Sequence, residues 1–311
     1  MTRTGFAHQA LCYGSDTEFL AGTAGFALDG LDAGDAVLAV VDERNIALLG
    51  EALGARSGEV EFVDARDWYD YPSRTLGRYH AYCDRHGPDR RRVRVIGEPV
   101  WTGRGTFEAR EWKRYESLLN IAFADSPHWI VCPYDTRTLP ADVVRTALRT
   151  HPELTDGPAD FTDPADFCAE CDAHRPAPLP AGPDDIPFAR GGSAAVRQAL
   201  VGYARRVGLP EQRMYDLVAA VHETVANSLR YGGGQGVIRL GGDPDHLICE
   251  IRDEGAHNSA PLPPFPGHLP PDPRAPNGHG MWVVRQLADL VAEDLGPSGS
   301  VVQLYFRWPT P

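Results

Sequence analysis

The sequence predicts an α/β domain followed by an α+β domain, and three observations carry this. Over residues 1–155, apolar runs of strand length alternate with stretches of helix length, the pattern of a doubly wound layer structure. Residues 188–311 run in another order: helix, helix, strand, strand, long loop, helix, strand. Between them, residues 156–187 are dense in Pro, Asp, Ala and Gly. Prolines remove backbone donors, so this segment reads as a linker with a short ordered patch around FTDPADF.

In the first piece HQALCYGS reads as a strand. The next 19 residues read as a helix with Phe19, Leu20, Thr23, Phe26 and Ala27 on one face, ending at Gly30 or Gly34. AVLAVVD is a continuous apolar run, as expected of a buried parallel strand. Helix over ERNIALLGEALGA, strand at 60–65, helix over RTLGRYHAYCDRHG, strand at 92–99, helix over FEAREWKRYESLLNIAFAD and strand at 128–136 complete the alternation. In the second piece Ser193 is expected to cap a helix closed by Gly208 and Pro210. A second helix runs from Glu211 to Arg230 with Met214, Leu217, Val218, Val221, Val225 and Leu229 as its apolar face. Strands GVIRLGG and HLICEIRD follow, then an irregular segment to Asn277 with eight prolines, a helix over GMWVVRQLADLV and a closing strand SVVQLYFRW.

Composition narrows the function classes. The formal net charge is −13, which disfavours sequence-independent binding to nucleic acid or acidic membranes. No apolar run is long enough to span a bilayer, and the N-terminus lacks the apolar core of a signal peptide. The expectation is a cytoplasmic protein with Cys12, Cys83, Cys132, Cys168, Cys171 and Cys249 reduced. Lys113 is the only lysine and lies within helical EAREWKRYESLLN. A P-loop needs a Lys after its glycines and a protein-kinase fold needs one on its third strand, so neither scheme is expected. The arginine run at 90–94 reads as a solvated approach to a strand.

Three motifs in the second piece carry chemistry. Glu223 and Asn227 are four apart in HETVANSLRYGGG. Helical periodicity puts both on one face, with Arg230 nearby and the apolar stripe opposite. Glu can take a proton or order a water, and the Asn amide oxygen suits Mg²⁺. Asp253-Glu254-Gly255 ends a strand; such an Asp can accept from the exocyclic amine of adenine, and the Gly admits close approach. Asn277-Gly278-His279-Gly280 opens a helix, where exposed amides and the helix dipole favour phosphate. In the first piece Tyr13, His80, Glu98, Trp101, Glu108, Tyr134 and Asp135 fall at strand ends or in adjacent helices, where α/β sheets bind ligands. In the linker, Cys168-Ala-Glu-Cys171 with His174 offers three of the four ligands zinc requires; a redox pair is disfavoured because no strand–helix turn places the cysteines, and two ordinary thiols is the leading reading.

The three motifs together, in this order, resemble the N, G1 and G2 boxes of the GHKL (Bergerat-fold) ATPases over residues 188–311, most closely the anti-sigma-factor serine kinases. That resemblance implies Glu223 as base, Asn227 on Mg²⁺, Asp253 on adenine, and Gly255, Gly278 and Gly280 with their neighbours Arg230, Asn277 and His279 around ATP. The 256–277 segment would be the ATP lid. The usual second glycine of a G1 box is absent, Ala256-His257-Asn258 following Gly255. The first piece resembles the MEDS sensory domain, a RecA/KaiC-related sheet without its phosphate loop, on HQALCYGSDTEFLAGTAGFALDGLDAGDAVLAVVDE, RVIGEPVW and ESLLNIAFADSPHWIVCPYDTRTL. The pairing implies a sensory domain, reading a small-molecule or redox signal, that controls an ATP- and Mg-binding kinase of Ser or Thr. The implied partners are a sigma factor and a STAS-type anti-anti-sigma protein; homodimerisation is compatible with the sequence. Two alternatives stay open: a non-catalytic ATP-binding or partner-binding module, and an atypical histidine kinase, although no hairpin with a phosphoacceptor His precedes the ATPase.

Overall fold

In the computed structural model, residues 5–86, 92–155, 159–174, 177–255, 265–272, 274, 278–296 and 299–308 are described. They form two compact units, 1–172 and 173–311.

The first unit alternates strands and helices: β1 (Ala7–Tyr13), α1 (Asp16–Asp32), β2 (Ala36–Val41), α2 (Glu43–Leu53), β3 (Glu61–Asp64), α3 (Ala65–Trp68), α4 (Pro72–His86), β4 (Val93–Gly97), α5 (Thr106–Ala122), β5 (Trp129–Asp135), α6 (Ala141–Thr150), β6 (Glu153–Leu154) and α7 (Pro164–Asp172). The six strands form a wholly parallel sheet in the order β3-β2-β4-β5-β1-β6. All six residues of β2 are buried, which is why that strand reads as an unbroken apolar run rather than an alternating one. The α1 helix buries Phe19, Thr23, Ala27 and Gly30, and Asp42 caps α2 by accepting from the Asn45 amide.

The segment expected as a linker is shorter than its composition indicates. Phe167, Cys168 and Cys171 of α7 are buried, and Arg114 of α5 bonds Asp172 and the Cys168 carbonyl. A three-residue apolar set is enough to dock one short helix even where prolines surround it. Arg94, read as solvated, is buried: it pairs with Asp35 at 2.8 Å and lies over the rings of Phe26 and Trp129. Arg90 and Arg91 lie outside the described residues.

The second unit comprises β7 (Ile186–Ala189), α8 (Ser193–Arg206), α9 (Glu211–Tyr231), β8 (Gln235–Gly242), β9 (His246–Asp253), α10 (His279–Leu287), β10 (Leu290–Gly296) and β11 (Gly299–Arg307). Its five strands form an antiparallel sheet in the order β10-β11-β9-β8-β7. Leu217, Val221 and Val225 of α9 pack with Ile238, Cys249, Ile251, Leu304 and Phe306 of the sheet in one core. Gly192, not Ser193, is the N-cap of α8, and no side chain caps it. The helix expected over GMWVVRQLADLV stops at Leu287, because Leu290 and Val291 pair with Tyr305 and Leu304 of β11. Asp289, held by Arg213 at 2.6 Å, anchors that switch and accepts from the Arg307 amide.

Candidate functional site

Glu223 and Asn227 sit one turn apart on α9, both half-buried. The first turn of α10 faces them. Gly278, its N-cap, has φ of 100°, a conformation open to glycine. A Cβ on Gly280 would lie 3.0 Å from Glu223 Oε2 and 3.6 and 3.8 Å from Nδ2 and Oδ1 of Asn227. The structure therefore brings Glu223, Asn227 and Gly280 together, and the missing side chain keeps the space between them open. The first N–H groups of a helix have no partner within it, and its dipole favours an anion there.

Asp253 closes β9. It is buried, and Ser300 of β11, its partner in the strand register, donates to Oδ2. Oδ1 is buried with no hydrogen-bond partner. A dry, unpaired carboxylate oxygen calls for a donor, which an exocyclic amine supplies. Ser300 is a site residue that sequence reading missed, since only strand pairing sets it beside Asp253. The role expected of Gly255 changes. A Cβ there would lie 1.6 Å from Gly233 N, so its bareness admits the backbone leaving α9 rather than a base.

The remaining expected residues scatter. Arg230 is exposed, its guanidinium 5.5 Å from the Tyr231 ring centroid. His279 is half-buried as the first residue of α10. Asn277 and most of the expected lid lie outside the described residues. The described part is docked on α10: Arg285 Nε donates to the Pro266 carbonyl at 3.0 Å, and Gly267 abuts the Met281 backbone.

In the first unit, the β1–α1 turn has the place of a phosphate loop but opposite chemistry. Glu18 Oε2 accepts from the Gly14 amide at 2.6 Å, and Ser15 Oγ accepts from the Glu18 amide at 3.2 Å. A carboxylate occupies the donor a phosphate would need.

Of the seven strand-end candidates, the structure joins Tyr13 and Glu98. The tyrosine hydroxyl donates to Glu98 Oε1 at 2.9 Å; Asn45 Nδ2 reaches both carboxylate oxygens at 3.1 and 2.8 Å, and the Asp42 amide adds a fourth bond. Burial raises the Glu98 pKa while these donors oppose it; Asn45 had not been singled out. Glu108 pairs with Arg104 at 2.6 Å, Asp135 pairs with Arg137 at 2.8 Å, and His80 stacks on Phe123. Trp101 and Tyr134 are buried.

The CxxC reading as a metal clip or redox pair finds no support in the geometry. Among the described residues, the ligand atoms of Cys168, Cys171 and His174 do not converge into a group that could hold an ion. His174 is exposed. Among the described residues the group able to hold a metal is a different one, His8, Glu116, Cys132 and His151, none of which had been singled out as a ligand.

Comparison with family models matches residues 7–152 to the MEthanogen/methylotroph, DcmR Sensory (MEDS) domain. Residues 189–306 match the Histidine kinase-like ATPase domain. A comparison with curated proteins finds no match. The first match falls on β1–β5 of the parallel sheet and the second on α8–α10 with β8–β11 of the antiparallel sheet. No described helix is long and apolar enough to cross a membrane. A sensory-type sheet and an ATPase-type sandwich on one chain are the parts of a signalling regulator, and the chain joins a MEDS domain to a histidine kinase-like ATPase domain.

Proposed function

We propose that the second unit binds ATP with Mg²⁺ and phosphorylates a Ser or Thr of a STAS-type anti-anti-sigma protein, exchanging it for a sigma factor, under control of a small-molecule or redox signal at the first unit. The observation that carries this reading is the convergence of Gly280 on Glu223 and Asn227. Glu223 accepts the proton of the attacking hydroxyl. The amides at Gly278–Gly280 donate to phosphate oxygens, where charge develops in transfer. Asn227 offers its amide oxygen to Mg²⁺, which when bound offsets phosphate charge. Asp253 Oδ1, buried and unpaired, accepts from the adenine amine.

A second reading, a non-catalytic ATP-dependent partner switch, is favoured by one observation. The described part of the lid is fastened to α10 through Arg285 and Gly267 rather than standing clear of it. Incubating the full chain with labelled ATP, with and without a STAS-type partner, separates the two. Label on the partner, lost in Glu223→Ala, supports the kinase. ATP binding without label supports the switch, and label on the chain's own histidines would indicate a histidine kinase.

A further inference from the structure

Beneath α5 and α6, on one face of the parallel sheet, four side chains from four elements meet. His8 comes from β1, Glu116 from α5, Cys132 from β5 and His151 from the residue after α6. All are 2% exposed or less. Cys132 Sγ is 3.5 Å from His8 Nε2, and Glu116 Oε2 is 3.9 Å from His8 Nε2 and 3.6 Å from His151 Nε2. All four ligand atoms lie within 4.8 Å of one another.

The hydrogen bonds around the cluster fix which atoms point inward. Asn120 Nδ2 donates to the Ser117 and Thr150 carbonyls, so its Oδ1 faces His8 Nδ1 at 3.0 Å and requires a proton there. His151 Nδ1 lies 2.9 Å from the Ala147 carbonyl and must donate as well. Both rings therefore turn an unprotonated Nε2 toward the Glu116 carboxyl, the orientation that outer partners impose on metal-binding histidines. Within the cluster, both Glu116 oxygens and His151 Nε2 are buried with no hydrogen-bond partner. Buried acceptors that face one another are satisfied either by a proton on one of them or by a cation among them, and the Tyr134 hydroxyl lies beside Glu116.

We propose that this cluster is a four-ligand site for a divalent metal of the zinc class. Edges of about 3.3–3.6 Å separate N, O and S ligands around a tetrahedral ion bound at about 2.0–2.3 Å; three of the pairs here lie at 3.5–3.9 Å and all lie within 4.8 Å, so metal binding would draw the four atoms together by up to about 1 Å. Two imidazoles, a thiolate and one carboxylate suit zinc, cobalt or ferrous iron and not magnesium or calcium. Four protein ligands in a sealed cavity leave no open position, so the ion fastens α5 and the end of α6 to β1 and β5 rather than activating water. The burial that shuts Cys132 from solvent also argues against a Cys-His nucleophile. This proposal is independent of the nucleotide reading of the second unit.

The test uses the full chain, purified without chelator, with metal content read by mass spectrometry, followed by chelation and reloading with Zn²⁺ or Co²⁺. The expected result is about one zinc-class ion per chain and a thiolate-to-cobalt charge-transfer band after Co²⁺ loading. Cys132→Ser removes the band, His151→Ala lowers the metal content, and Asn120→Ala, a positioning change, weakens affinity about 10–100-fold. The Cys168→Ser/Cys171→Ser double variant keeps both metal and band. The proposal fails if wild-type chain, after exposure to Zn²⁺ and Co²⁺, carries no more metal than His151→Ala. It also fails if cobalt binds without a thiolate band, or if the double variant is the one that loses it.

Discussion

Glu223 and Asn227 lie four residues apart on one helix and are half-buried, whereas His8, Glu116, Cys132 and His151 come from four elements between positions 8 and 151 and are sealed in. The first site borrows its donors from the start of a helix and keeps open space with a glycine. The second is made wholly of side chains facing one another. A site of the first kind stays wet when empty and adds little strain to the fold. A site of the second kind has desolvated its polar atoms already, so its contents decide whether those atoms stabilise or destabilise the unit that holds them.

The comparison can be broken first at Glu223. Glu223→Ala is expected to slow phosphoryl transfer to a STAS-type partner by about 10²–10⁴-fold while ATP affinity stays within error, the range of general-base assistance. Unchanged transfer would mean that the base lies elsewhere. Asp253→Asn comes next, because it replaces the unpaired acceptor by a group that also donates. A bond to a charged partner is worth about 1.5–3 kcal/mol, so calorimetry should show ATP affinity about 10–100-fold lower. Equal affinity of the wild type for ATP and GTP would remove Asp253 from adenine recognition. With Glu18 on the Gly14 amide, no second nucleotide site should appear in the first unit.

Stability separates the two sites more sharply. In chelator-treated full chain, Glu116→Met replaces a buried carboxyl lacking hydrogen bonds by an apolar group of similar size. Replacing buried ionisable groups by apolar groups of similar volume is often neutral or stabilising, by up to about 4 kcal/mol. With metal present the sign should reverse, and denaturant unfolding of both forms reads it. Glu223→Met, on a half-exposed helix face, should shift stability by no more than about 0.5 kcal/mol. Gly280→Ala adds a methyl that meets the mobile end of Glu223; ATP affinity should fall about tenfold, at the lower end of an overpacking penalty. Arg230→Ala, exposed beside Tyr231, should change ATP affinity less than about fivefold, as surface charges do.

What could be read along the chain was whatever depends on near neighbours. The strands β1 to β5 and the helices between them follow from apolar runs and helical spacing, and the long α9 helix follows from its Met214–Leu229 stripe. The elements that escaped are those made by pairing. The two-residue β6 exists only because it pairs with β1, and β7 only because it lines up on β8. Leu290 and Val291 look like the last turn of a helix until β11 claims them. Of the α7 helix, the sequence showed only a short ordered patch around FTDPADF among prolines, and Arg94 is hidden by its three neighbouring arginines.

The sequence by itself determined the two-domain order, the absence of a lysine-dependent phosphate loop and the local geometry of the candidate nucleotide site, because a four-residue spacing or a glycine before a helix acts within one or two turns of backbone. Only the tertiary structure decided that Gly280 faces Glu223, that Ser300 holds one oxygen of Asp253 and leaves the other unpaired, and that Gly255 yields to backbone. It alone gathered His8, Glu116, Cys132 and His151. Their convergence depends on which strands lie side by side and which face α5 covers, and no spacing along the chain encodes a contact between side chains whose elements meet only when the sheet closes.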